Sequence, residues 1–173
     1  MKKELLTNRL RLIPVEPQNS DLIFSLLLND KIKKYLCDNR DIEIDVVKRM
    51  ISSSEILFEE KGIGLWLIRE LATDSIVGFC GFFKNQLLEL IYVVHPDFQN
   101  SGYATEASLR VIEYFDQFKL GDDVFAKIDL PNIESHVVAN KIGMREVGIE
   151  KNRLTGGDMK LYKLQSRGDL NLR

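Results

Sequence analysis

The chain has little cysteine, histidine or proline, and none of it falls into a pattern. Its two cysteines, Cys37 and Cys80, lie far apart, and no metal-type spacing surrounds them. A disulfide framework and a bound metal are therefore not expected. Cys80 sits in an apolar strand pattern and reads as a small core residue. There is no basic excess: 24 Lys and Arg face 26 Asp and Glu, a formal net charge of -2. A general nucleic-acid binder would show a basic surplus or stripe. No stretch reaches the ~18 apolar residues of a membrane span. The opening MKKELLTNRLRL has no apolar run of signal-peptide length. These absences lead to the expectation of a soluble, cytoplasmic protein with no nucleic-acid or membrane partner. No internal repeat, low-complexity segment or linker is visible. The length of 173 residues suits one domain, expected over 1–165 with a polar, frayed tail at 166–173.

What is present alternates between strand and helix. Arg9 to Val15 alternates polar and apolar residues and reads as a strand. Leu22, Ile23, Leu26 and Leu27 predict a helix from near Ser20. Val46 to Phe58 predicts a second, with Asp41 or Asp45 as its cap. Gly64 to Arg69, Ile76 to Phe83 and Gln86 to Val94 read as three strands joined by short turns, an antiparallel meander. Ala104, Ala107, Ser108, Val111, Ile112 and Phe115 share one face of a strongly amphipathic helix, with Gly121 as its stop signal. Val124 to Leu130 reads as a strand, Ser135 to Lys141 as a short helix, and Met159 to Leu164 as a final strand. Strand, helix and strand over Gln86 to Leu130 make a βαβ crossover. The fold class is α/β (α+β): a mixed, mostly antiparallel sheet with one parallel crossover, flanked by helices.

The polar stretch HPDFQNSGYATEA, His95 to Ala107, joins the third meander strand to the amphipathic helix. Ligands in open α/β sheets collect at the carboxyl ends of strands, where this loop lies. From Gln99 to Ala104 there is no proline, so every residue offers an N–H. The helix start adds unpaired amides and partial positive charge, and Gly102 permits positive φ and close approach. This is an anion site made of backbone, or simply a capped strand-to-helix connection. Neither Gly-x-x-x-x-Gly-Lys-Ser/Thr nor Gly-x-Gly-x-x-Gly is present, which argues against an ATP or NAD site.

Gln99-Asn100-Ser101-Gly102-Tyr103-Ala104 resembles the Gln/Arg-x-x-Gly-x-Gly/Ala signature of the GNAT acetyltransferase superfamily. ELIYVVHPDFQNSGYATEA resembles the signature segment of the branch that acetylates ribosomal-protein N-termini. NRLRLIPV is similar to that branch's first strand, and LWLIRELATDSIVGFCGF to its second and third. NIESHVVANKIGM resembles its Asn-x-x-Ser helix ending in Lys-x-Gly. The resemblance covers roughly residues 4 to 165 and implies a sheet whose two parallel strands splay apart. It implies acetyl-CoA as cosubstrate and an amine as acceptor, and it makes a homodimer plausible. The pantetheine arm would lie in the gap against the backbone of Tyr92, Val93 and Val94. The pyrophosphate would take amides of Gln99, Asn100, Ser101, Gly102, Tyr103 and Ala104. Asn132 would contact the pantetheine or the reacting group. Three positions depart from the pattern. Gln99 stands where Arg is common, Ala104 replaces a second Gly, and Ala139 stands where many members carry a tyrosine acid.

Transfer to an amine needs a base, because most amines are protonated at pH 7, and a donor for the thioester oxygen. Glu89 is the only charged residue between Lys84 and Asp97. Desolvation there would raise its pKa toward a useful base; the alternative is a strand-end ion pair. The resembling branch often has Glu at this position. Ser135 is the candidate acid by the Asn-x-x-Ser match; the alternative is a helix residue bonding backbone. Val93 or Val94 is the expected backbone donor. His95 and His136 are not assigned as bases. The function expected is an N-acetyltransferase acting on a protein N-terminus or a small amine; the alternative is a CoA-binding module of the same fold.

Overall fold

The structure, a computed structural model, describes residues 3–118 and 122–165. The expected stop at Gly121 and the expected tail at 166–173 lie outside the described residues. Among them, eight strands form one sheet: β1 (Leu5–Leu6), β2 (Leu10–Pro14), β3 (Leu65–Glu70), β4 (Ile76–Lys84), β5 (Leu88–Val94), β6 (Val124–Asp129), β7 (Met144–Lys151) and β8 (Asp158–Leu164). Their order is β1-β2-β3-β4-β5-β6-β8-β7. Every neighbouring pair is antiparallel except β5 with β6. Five helices accompany them: α1 (Ser20–Leu27), α2 (Asp30–Leu36), α3 (Ile44–Lys61), α4 (Tyr103–Phe118) and α5 (Ile133–Lys141). The fold class read from the sequence is the fold observed, with the crossover running β5, α4, β6.

Alternation along the strands builds two cores. Trp66, Phe82, Leu88 and Leu90 bury against Ala107, Val111 and Phe115 of α4. Leu65, Leu67, Phe79 and Val93 bury against Ile23 and Leu26 of α1 and Val47 and Ile51 of α3. Trp66 is fully buried and edge-packed between Phe58 and Tyr114 at 4.8 and 5.7 Å. Its Nε1 donates to the Lys3 carbonyl at 2.8 Å, so the one polar atom is satisfied. Cys80 is a core residue, in contact with Ser108 at 3.6 Å, and burial pushes its thiol up to about 12.

Three elements escaped the sequence reading. β1 has only two residues. α2 buries only Ile32, too little for a periodic signal. Its start was signalled, however: Asn29 caps it by accepting from the Lys31 N–H at 3.1 Å. β7 is an edge strand whose Val147 and Ile149 are exposed, and its register shifts between Glu146 and Gly148. The expected cap of α3 is corrected as well. Glu43 is its N-cap, without a side-chain bond, Asp45 lies in its first turn, and Asp41 pairs with Lys33 at 3.0 Å.

Candidate active site

The parallel pair opens almost at once. β5 and β6 are in register only at Leu88 with Val124 and Glu89 with Phe125. From there β5 stays with β4 up to Val94, while β6 follows β8. The His95 N–H donates to the Val77 carbonyl at 2.8 Å, which sets the phase of the β4–β5 ladder. In that phase Ile91 and Val93 exchange backbone bonds with β4. Tyr92 and Val94 therefore turn their N–H groups into the gap, with the Tyr92 carbonyl; the Val94 carbonyl on the same side already accepts from Gln99 Nε2. Of the three residues expected to meet a ligand through backbone, Tyr92 and Val94 are so placed. Val93 lines the cleft, but its own backbone is engaged by β4.

At the carboxyl end of β5 the chain makes a short 3-10 turn, Pro96–Phe98, and then the polar loop. The Gln99 N–H donates to Pro96 O at 3.2 Å, and its side-chain Nε2 donates to Val94 O at 3.0 Å. Gln99 thus braces the loop onto the strand and withholds its amide. The first helical bond of α4 is Glu106 N–H to Gly102 O, 3.0 Å. The six amides from Asn100 to Thr105 have no acceptor among the described residues. Thr105 extends the set by one residue beyond the sequence reading. Asn100 and Gly102 have φ of 60° and 80°, the alternation that turns successive N–H groups to one side. Ser101 faces outward: its carbonyl accepts from Arg9 Nη1 at 3.0 Å, and it does not line the cleft. Ala104 is helical, so its methyl group costs nothing in conformation.

The loop and the gap bound one cleft of about 800 Å³. It runs from Asn100 and Gly102 past Tyr92 to Glu89 on the opposite face of the sheet. α5 forms one wall, with Asn132, Ser135 and Val138; α2 forms another, with Ile32 and Tyr35. Asn132 caps α5 by accepting from the Ser135 N–H at 3.3 Å. The Ser135 carbonyl accepts from the Tyr92 hydroxyl at 2.8 Å, while the Ser135 hydroxyl has no partner among the described residues. The Tyr92 side chain was missed from sequence: it locks the start of α5 across the gap, and burial raises its pKa. Ala139 is fully buried behind Ser135, with no acid to offer.

The far end of the cleft is acidic. The Glu89 side chain is only 12% exposed. Burial raises its pKa; Lys127 at 4.0 Å opposes that rise and Glu150 adds to it. Lys127 is shared, lying 3.2 Å from Glu150. Burial also raises Asp129, against a bond from Asn152. Asn152 Nδ2 donates to Asp38 at 2.6 Å. Lys127, Asp129, Asp38 and Asn152 carried no sequence signal, because only the fold brings them together. His136 is engaged at both ring nitrogens, with the Tyr162 hydroxyl at 3.0 Å and the Leu130 carbonyl at 3.3 Å. A carbonyl only accepts, so Nε2 is the donor in its contact with Leu130. His95 Nδ1 accepts from the Asp97 N–H at 3.3 Å and caps the 3-10 turn. Both ring nitrogens of His136 and the Nδ1 of His95 are thus engaged.

An acyl-CoA can be tested against this arrangement. A pyrophosphate needs donors without protein partners, and the loop has six. A pantetheine arm carries amides that need a strand edge, and β5 leaves one open. The residues fit the group.

Comparison with known proteins agrees. The family model described as "Acetyltransferase (GNAT) domain" matches residues 9–145. The Bacillus subtilis protein named as the N-acetyltransferase YoaA is 27% identical over 148 residues, 83% of each chain. A solved structure named as a GnaT-family acetyltransferase from Bordetella pertussis superposes with a TM-score of 0.82 at 20% identity, over 95% of this chain and 100% of that one. The structure of RimL, named as a ribosomal-protein α-N-acetyltransferase in complex with coenzyme A, has a TM-score of 0.76 at 16% identity, over 93% of this chain and 97% of that one. With the family model spanning most of its length and the splayed sheet in place, the chain belongs to the GNAT acetyltransferase family.

Proposed function

We propose that this acetyltransferase moves an acetyl group from acetyl-CoA to a primary amine by direct attack in a ternary complex. The observation that carries this reading is the opening of β5 from β6 beside six acceptor-free amides. Bound acetyl-CoA supplies an activated acyl group and a sulfur leaving group. The amides of Asn100 and of Gly102 to Thr105 bind its pyrophosphate, and Tyr92 and Val94 hold its amide-bearing arm. Asn132 lines the same arm's path. Val94 N–H donates to the thioester oxygen as charge develops there; Val93 N–H, engaged by β4, is the less suited of the two. Glu89 takes the proton from the acceptor ammonium, and burial makes it a stronger base than a solvated carboxylate. As the C–N bond forms and the C–S bond breaks, the nitrogen loses a second proton, which the Ser135 hydroxyl relays to the departing sulfur while keeping its own proton count. Glu89, Asp129 and Asp38 suit an acceptor that arrives positively charged, such as a protein N-terminus or a small amine. The likeness to RimL supports an N-terminal acceptor at the level of fold.

Calorimetry with acetyl-CoA tests the binding half: micromolar affinity is expected, and no binding refutes the reading. A panel of peptide N-termini and small amines, run with wild type and Glu89→Gln, tests the transfer half. The buried Ala139 favours a second reading, a CoA-binding module without efficient transfer. Tight CoA binding with no turnover on any amine would select it.

A further inference from the structure

The loop assigned to the pyrophosphate carries no cation of its own, since Gln99 replaces the common Arg. A cation reaches it from far away in sequence. Arg9, just before β2, donates from Nη1 to the Ser101 carbonyl at 3.0 Å. Its Nε and Nη2 both bind Glu106 Oε2, at 2.7 and 2.6 Å. Its guanidinium lies 4.4 Å from the centroid of the Tyr103 ring. Thr7 donates to the other Glu106 oxygen at 2.6 Å, and the Arg9 N–H donates to that oxygen at 3.1 Å. Burial pushes the Glu106 carboxyl up, but the bonds from Thr7 and Arg9 more than reverse it, so it is ionised at neutral pH.

Arg9 is therefore fixed at both ends, to the first turn of α4 and to the loop that precedes it. Glu106 offsets its charge, so its effect is geometric. A peptide group is planar and trans, with C=O and N–H pointing in opposite directions. Holding the Ser101 carbonyl outward aims the Gly102 N–H inward, toward the cleft. The positive φ of Gly102 lets the next amides follow. We propose that Arg9 is a positioning residue for acyl-CoA, clamping the loop in its anion-accepting form before the ligand arrives. Preorganisation of this kind raises affinity by removing an ordering cost from binding. The inference rests on the acyl-CoA reading above.

The test compares wild type, Arg9→Ala and Arg9→Lys. Calorimetry gives Kd for CoA, and kinetics compares acetyl-CoA with S-acetylpantetheine, which has no pyrophosphate to place in the loop. Lysine cannot bridge Ser101 and Glu106 together, so both variants should bind CoA about tenfold more weakly, the worth of one charge-assisted bond. The ratio of kcat/KM for acetyl-CoA to that for S-acetylpantetheine should fall by the same factor. A general loss of fold lowers both donors equally and leaves the ratio unchanged; that result, or full rescue by lysine, overturns the clamp. Wild type that binds CoA with an affinity Arg9→Ala leaves intact overturns this inference alone. Wild type that does not bind CoA overturns the functional reading and the clamp with it.

Discussion

Gly102→Ala puts a number on the loop. The Gly102 φ is +80°, and a Cβ built there meets only Arg9 Nη2, at 3.5 Å. No steric barrier exists, so the penalty is the left-handed backbone itself, about 1–2 kcal/mol for an L-residue. The variant has two ways to carry it. If the loop keeps its shape, the whole penalty appears as lost stability. For a chain of this size that is a Tm lower by about 2–8 °C, with CoA affinity unchanged. If the free loop relaxes, stability recovers but binding must rebuild the strained turn, and Kd rises by up to about 5–30-fold. The two losses come from one strain, so expressed as free energies they should sum to about 1–2 kcal/mol however they divide. Thermal unfolding and calorimetry on the same preparation measure both. Gly102→Asn, which tolerates this backbone region better, should give a smaller sum. A Tm within about a degree and a Kd within about twofold of wild type for Gly102→Ala would falsify the claim that the bound loop needs a left-handed residue.

Glu89→Gln should lower kcat by about 10²–10⁴-fold with little change in KM for acetyl-CoA; an unchanged kcat removes Glu89 from the chemistry. The folded pKa of Glu89 lies above its unfolded value, so its ionised form weakens the fold at neutral pH. The Gln variant should therefore melt higher than wild type at pH 7, and the difference should vanish below the ordinary carboxylate range. Lys127→Met removes the cation 4.0 Å from Glu89 and should move the acid limb of the pH–rate profile to higher pH. A profile that stays put would show that Lys127 serves only Glu150. Gly78→Ala places a Cβ 1.9 Å from the Val93 carbonyl, where backbone must give way. It should cost about 3 kcal/mol or more, read as a large fall in Tm, and a stable variant would mean that the β4–β5 ladder yields there.

The parts of the fold legible in the sequence are those that bury a continuous face. β3, β4 and β5 show as near-continuous apolar runs because both of their sides are covered, and α4 shows its helical period because Ala107, Val111 and Phe115 all enter one core. β7 was invisible because an edge strand need not be apolar inward. α2 was invisible because one buried residue makes no period. The candidate site divides in the same way. Its phosphate end is local, a few consecutive residues whose backbone does the work, so a short segment announces it. Even there, the bond from the Gln99 N–H back to Pro96 shifted the donor set by one residue.

The acceptor end has the opposite construction. Glu89 comes from β5, Lys127 and Asp129 from β6, Glu150 from β7, and Tyr35 from α2; Asp38 follows just after that helix. Two bonds tie the α2 region across the gap: the Tyr35 hydroxyl to the Pro131 carbonyl at 3.2 Å, and Asn152 Nδ2 to Asp38 at 2.6 Å. Asp38 and Asn39 hold the turn between them with φ of 51° and 58°. Both residue types adopt that region at modest cost. On the reading proposed above, the shape of the acceptor mouth is set by residues 29–40 and by what they reach, rather than by the loop proposed for the acyl donor. Changes in this segment should therefore alter which amine is taken more than they alter CoA binding, because no hydrogen bond among the described residues links it to residues 99–105.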